Sequence, residues 1–130
     1  MESVSPDVIT ARPDDVLVVE DDLLIALDLE ETLARLGVKS VRTATHVAQA
    51  LAMIADRAPA LAFLNIDLGS ENSIAVAGQL DSLGIPFAYV TGYGMDGMLP
   101  AKFENRPRLN KPFSTDAIVA VLQDPFGKRP

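Results

Sequence analysis

The 130-residue chain has no cysteine. That removes disulfide cross-links, thiolate metal sites and cysteine nucleophiles from consideration. It has one histidine, His46, which falls at an expected helix start and reads as a surface residue rather than a ligand. No apolar run approaches the ~18 residues that a membrane span requires. Basic residues are few: 11 Lys and Arg against 18 Asp and Glu leave a net charge of −7 and a pI near 4.5. Such a surface repels phosphate backbones and anionic lipid, so neither a nucleic-acid nor a membrane partner is expected. The opening Met1-Glu2-Ser3-Val4-Ser5-Pro6-Asp7 lacks the basic and apolar regions of a secretory signal, and a cytoplasmic location is expected. No internal repeat or second domain is visible. What is present is 48% apolar residues in a length suited to one domain with a core of its own.

The stretch that organises the rest is Ala60-Leu61-Ala62-Phe63-Leu64-Asn65-Ile66-Asp67-Leu68-Gly69. It is too short for a membrane span and too apolar for a half-exposed strand. It predicts a central strand of a parallel sheet, buried on both faces, whose carboxyl end presents Asn65 and Asp67. In open α/β sheets the strand carboxyl ends are where chemistry is placed.

The remaining elements follow in order. Residues 1–14 carry Pro6 and Pro13 without periodicity, which predicts a flexible arm. Val16-Leu17-Val18-Val19 is the first strand, followed at once by Glu20-Asp21-Asp22. Leu23, Leu24, Leu27, Leu33 and Leu36 recur at helical spacing, with Asp28, Glu31 and Arg35 outward. Glu31 and Arg35 form a favourable i,i+4 pair, and Gly37 supplies a left-handed stop. A less hydrophobic edge strand is expected within residues 39–43. Thr45 is placed to cap a second helix with a core face of Val47, Leu51, Ile54 and Ala58, ended by Pro59.

After the central strand, Gly69-Ser70-Glu71-Asn72 leads into a third helix with Ile74, Ala77, Leu80 and Leu83 inward. Phe87-Ala88-Tyr89-Val90-Thr91 is the fourth strand. Residues 93–106 contain two glycines and a proline near Met95 and Met98, which predicts an irregular, mobile segment with at most one helical turn. Arg108-Leu109-Asn110 is a brief fifth strand before Lys111-Pro112-Phe113. Ser114 caps the last helix, Phe113 staples onto Ile118, and Ala117, Ile118, Val121 and Leu122 are its buried side. The domain spans residues 15–123, with a polar tail at 124–130. Alternation of strand and helix over short connections, with right-handed crossovers, predicts an α/β fold with a five-stranded parallel sheet and helices on both faces.

Polar groups therefore gather at the strand ends: Glu20-Asp21-Asp22, Asn65 with Asp67, Thr91, and Lys111. Carboxylates, a hydroxyl and an ammonium together describe a magnesium and phosphoryl site. In this order and spacing the chain resembles a two-component response-regulator receiver domain. The matching pieces are Val16-Leu17-Val18-Val19-Glu20-Asp21, Leu64-Asn65-Ile66-Asp67-Leu68-Gly69, Thr91-Gly92 and Lys111-Pro112-Phe113. Pro86-Phe87-Ala88-Tyr89-Val90-Thr91-Gly92-Tyr93-Gly94 further resembles an alphaproteobacterial subgroup, often single-domain, whose fourth helix is short or disordered.

The resemblance implies a flavodoxin-like, doubly wound sheet in the strand order 2-1-3-4-5. It implies Mg2+ held by Glu20, Asp21, Asn65 and Asp67, with Asn65 at the phosphoacceptor position. Thr91 and Lys111 would contact the phosphoryl group, and the Lys111-Pro112 bond would be cis. The implied partners are a histidine kinase or histidine phosphotransfer protein, docking near the first helix and the loop after strand five, and a downstream protein target.

Two departures stand out. Arg108 occupies the place of the family's aromatic switch residue, which makes Tyr93 a candidate for that role. Asn65 replaces the family's aspartate. Acyl-phosphate formation needs a carboxylate nucleophile, and a neutral amide cannot make that bond. Phosphorylation is therefore expected to fail, and magnesium binding to weaken. Removing one of three clustered carboxylates relieves repulsion of roughly 4 kcal/mol per close pair, so the metal-free fold should gain stability. The chain is then either a natural pseudo-receiver or an acceptor-dead variant. Three other readings accompany this one: Asp67 as surrogate acceptor, a phosphorylation-independent interaction domain, and a haloacid-dehalogenase-like phosphatase echoed by Asn65-Ile66-Asp67.

Overall fold

A computed structural model describes residues 13–91 and 100–127. Five strands, β1 (Asp15–Val19), β2 (Ser40–Ala44), β3 (Leu61–Asn65), β4 (Phe87–Thr91) and β5 (Arg108–Asn110), form one parallel sheet. Their order is β2-β1-β3-β4-β5, as expected. The helices among the described residues are α1 (Leu23–Arg35), α2 (Val47–Asp56), α3 (Ile74–Ser82) and α4 (Thr115–Gln123). None is long and apolar enough to cross a membrane.

Side chains alternate across each strand, so the central strands feed two cores. Val16, Val18, Leu61, Phe63, Ala88 and Val90 meet α1 and α4 on one face. Leu17, Val19, Ala62, Leu64, Phe87 and Tyr89 meet α2 and α3 on the other. This double burial explains why β3 reads as an unbroken apolar run.

The helix faces differ from the sequence expectation. In α1 the buried residues are Ala26, Leu29, Thr32 and Leu33, while Leu23, Leu24 and Leu27 are 69%, 79% and 51% exposed. The small Ala26 permits close approach to the sheet, and the leucines on either side of it in sequence turn outward. The expected Glu31–Arg35 pair does not form; Arg35 donates to the Thr32 hydroxyl at 3.3 Å.

In α2 the cap is His46, not Thr45: its Nδ1 accepts from the Gln49 amide at 3.3 Å. Thr45 instead bonds the Gln49 side chain. Ala58 lies beyond the end of α2 and is exposed. Buried Val76 replaces the expected Leu83 on α3, because Leu83 falls at the C-cap and is half exposed.

The edge strand β2 is held by Arg42, which ion-pairs with Asp15 of β1 and donates to the Met53 and Arg57 carbonyls at 2.9 and 2.6 Å. Between β4 and β5 the described residues contain a single 3-10 turn, Ala101–Phe103. Phe103 packs edge-on against Phe87 at 5.4 Å and so closes the α3-side core. The part of the expected irregular segment that holds Met95 and Met98, and Tyr93 as a switch residue, lie outside the described residues, as does most of the expected N-terminal arm. The Lys111–Pro112 bond is cis.

Candidate functional site

Glu20 follows directly on β1 and is 1% exposed. Its Oε2 accepts the Asp22 amide at 3.1 Å. Asp22 caps α1, its Oδ1 accepting the Leu24 and Ile25 amides at 3.0 and 3.3 Å. The acidic triplet thus divides by role: Glu20 points into the pocket, Asp22 serves the helix, and Asp21 stands at the rim.

β3 delivers Asn65 directly to these acids. Its Nδ2 donates to Glu20 Oε2 at 2.8 Å and to Asp21 Oδ1 at 3.2 Å. The orientation is fixed by chemistry, since the amide oxygen would add a third acceptor to two carboxylates. From the end of β5, Lys111 Nζ reaches Glu20 Oε1 at 3.1 Å, an ion pair without hydrogen-bond alignment. Three strands therefore converge on Glu20.

A residue that the sequence reading did not single out holds Asn65 in place. Ser73, fully buried before α3, donates its hydroxyl to the Asn65 carbonyl at 2.8 Å, and its amide bonds the Ile66 carbonyl. It makes no side-chain cap to α3. A serine just before a helical run reads as a helix cap, and that default hid its other use.

Asp67 is exposed, and its Oδ1 accepts the Gly69 amide at 2.9 Å within its own turn. Gly69 has φ +85, and a Cβ there would lie 3.8 Å from Asp21 Oδ2, so this loop borders the acids. Thr91, 2% exposed, donates its hydroxyl to Asn110 Oδ1 at 3.1 Å, while its carbonyl accepts the Lys111 amide at 2.8 Å. The structure thus brings Glu20, Asp21, Asn65 and Lys111 together, with Thr91 tied to the neighbouring strand.

The donor set is poorly suited to magnesium. Mg2+ demands oxygen ligands in near-octahedral geometry. Here both Glu20 oxygens face nitrogen groups, and Asn65 turns its NH2 toward the acids. Among the described residues no group of three or more His, Cys, Asp or Glu is arranged to hold a metal.

Beside the pocket, Ile25, Asp28, Lys111, Pro112 and Phe113 line a cleft of about 300 Å³ between α1 and the start of α4. The exposed Leu23, Leu24 and Leu27 lie on the same helix.

A doubly wound parallel sheet with acids, an amide and a lysine meeting at its strand ends defines the flavodoxin-like class of signalling domain. Within that class the chain belongs to the response regulator receiver domain family, whose model matches residues 16–123. SdrG from Sphingomonas melonis Fr1 is 39% identical, with a TM-score of 0.74 over 83% of this chain and 92% of that one. The receiver domain of PhyR from Erythrobacter litoralis is 26% identical, with a TM-score of 0.76 over 90% and 94%. The sensory transduction protein LytT of Bacillus subtilis is 29% identical over 111 residues; the match spans 83% of this chain but only 46% of LytT. Receiver domains bind Mg2+ in an acidic pocket and work with histidine kinases or phosphotransfer proteins and downstream targets.

Proposed function

We propose that this chain is a cytoplasmic two-component signalling module whose acceptor position, Asn65, leaves it unable to take a phosphoryl group. The observation that carries this reading is the double hydrogen bond from Asn65 Nδ2 to Glu20 and Asp21. It supports a pocket in which the amide occupies the space between the acids, so Glu20, Asp21, Asn65 and Asp67 hold Mg2+ only weakly. The side chain offers no carboxylate oxygen to attack phosphorus. Lys111 and Thr91 keep their places as phosphoryl-contacting groups without a group to contact, and the domain stays in one state. The haloacid-dehalogenase-like alternative falls to the same argument, because its nucleophile would have to be this amide. Asp67 is disfavoured as a substitute acceptor because its carboxylate is engaged by Gly69.

The partner surface is the exposed apolar face of α1 together with the cleft beside Lys111. Leu23, Leu24 and Leu27 form an unsheltered patch flanked by Asp21, Asp22 and Asp28, which suits an apolar helix bordered by basic residues. A histidine kinase or phosphotransfer protein is the partner this surface fits. This surface is also what favours the second reading, a contact that operates without phosphorylation.

Incubation with radiolabelled acetyl phosphate and Mg2+, beside Asn65→Asp, tests the reading. No acid-stable, base-labile label on the chain, and label on Asn65→Asp, is the expected result. Equal labelling of both proteins contradicts it.

A further inference from the structure

We propose that Asn110 is a positioning residue for Thr91, holding its hydroxyl on β5 until another acceptor displaces it. The inference rests on the reading of Thr91 as the group that would turn toward a phosphoryl oxygen.

Thr91 and Asn110 are directly opposite each other in the parallel β4–β5 pair, so their side chains share one face of the sheet. The Lys111 amide bonds the Thr91 carbonyl at 2.8 Å and fixes that register, and Thr91 Oγ1 donates to Asn110 Oδ1 at 3.1 Å. A threonine hydroxyl carries one proton and donates to one acceptor at a time. Donation to Asn110 and donation to a group in the acid pocket therefore exclude each other.

The two ends of this bond differ in their access to water. Thr91 is 2% exposed, and leaving a buried donor unpaired is costly. Asn110 is exposed, so its carbonyl can be rehydrated when released. The hydroxyl thus leaves Asn110 only when a replacement acceptor is at hand, which makes the bond a competitor rather than a fixed strut. Arg108, two residues earlier on the same face of β5 and also exposed, provides no aromatic ring for this task. A polar side chain on the same short strand takes it over. Asn110 also adjoins Lys111, whose amine pairs with Glu20, so the strand end carries both the hydroxyl's holder and the pocket's cation.

The test uses beryllofluoride with Mg2+ as a phosphoryl mimic, in the 130-residue chain carrying Asn65→Asp. Adding Asn110→Ala is expected to tighten beryllofluoride binding by roughly three- to ten-fold, the worth of one neutral hydrogen bond. In the Thr91→Val background the same Asn110→Ala change is expected to have no effect, because no hydroxyl remains to be released. An Asn110→Ala effect of equal size in both backgrounds, or none in either, overturns the inference while leaving the acceptor reading intact. Failure of folded Asn65→Asp to bind beryllofluoride at all overturns the acceptor reading and this inference with it.

Discussion

Asn65 Nδ2 lies 2.8 Å from Glu20 Oε2, and the bond links the ends of two adjacent strands, β3 and β1, across the floor of the pocket. The same nitrogen reaches Asp21 Oδ1 at 3.2 Å. One neutral side chain thereby bridges two carboxylates, of which Glu20 also has the Lys111 ammonium on its other oxygen. Asn65→Asp exchanges two attractive contacts for repulsion. Because Asp21 is exposed, the full low-dielectric penalty does not apply. The metal-free domain is expected to lose about 1–3 kcal/mol of stability. Urea denaturation with EDTA measures that loss, and added Mg2+ should restore it in Asn65→Asp while leaving the unsubstituted chain unchanged.

Ser73 supports the same residue from behind. Ser73→Ala removes the hydroxyl that bonds the Asn65 carbonyl and leaves that buried acceptor short of a partner. The expected cost is about 1–2 kcal/mol, seen as a lower urea midpoint with an unchanged slope. A loss near zero would mean that the Asn65 carbonyl finds another donor.

At the opposite end of β1, Asp15 sets the acid limit of stability. Burial raises its pKa, but hydrogen bonds from Arg42 and Ser40 and the charges of Arg42 and Arg57 outweigh burial and leave it below its usual value. A carboxylate depressed in the folded state contributes stability above its unfolded pKa of ~3.9 and loses it as pH falls through the folded value. Stability is therefore expected to decline below about pH 4, and Asp15→Asn should remove that part of the decline at a cost of roughly 2 kcal/mol at neutral pH. Urea melts from pH 3 upward, of both proteins, provide the comparison.

The outward leucines of α1 carry the docking proposal. Leu24 is 79% exposed and contributes little to either core. Leu24→Glu is expected to weaken binding to a histidine kinase or phosphotransfer protein by at least roughly ten-fold, with a melting temperature within about 2 °C of the parent. Calorimetric titration and a thermal melt separate the two effects. Unchanged affinity would move the contact elsewhere.

The sheet was legible because its central strands are buried on both faces, and continuous apolar runs between turn signals permit few other readings. The strand ends were legible for the same reason: once β1, β3, β4 and β5 are ordered, Glu20, Asn65, Thr91 and Lys111 follow. Helix faces were less legible. Leu23, Leu24 and Leu27 have the apolar character of core residues, and residue type alone does not distinguish an interior face from a docking face. Side-chain partners were not legible at all. Ser73 has the position of a cap and bonds Asn65 instead, and Asn110 reads as a strand end until the register sets it opposite Thr91. Such pairings depend on which strands become neighbours, and that information is spread over the whole chain.

The clasp of Asn65 on the two acids is most directly tested by a Mg2+ titration monitored through the Asn65 side-chain amide resonances of the nitrogen-15-labelled chain. The account predicts two separate amide protons that stay in place through millimolar Mg2+, with saturable shifts at the pocket appearing only in Asn65→Asp. Displacement of the Asn65 resonances by submillimolar Mg2+ in the unsubstituted chain would contradict it.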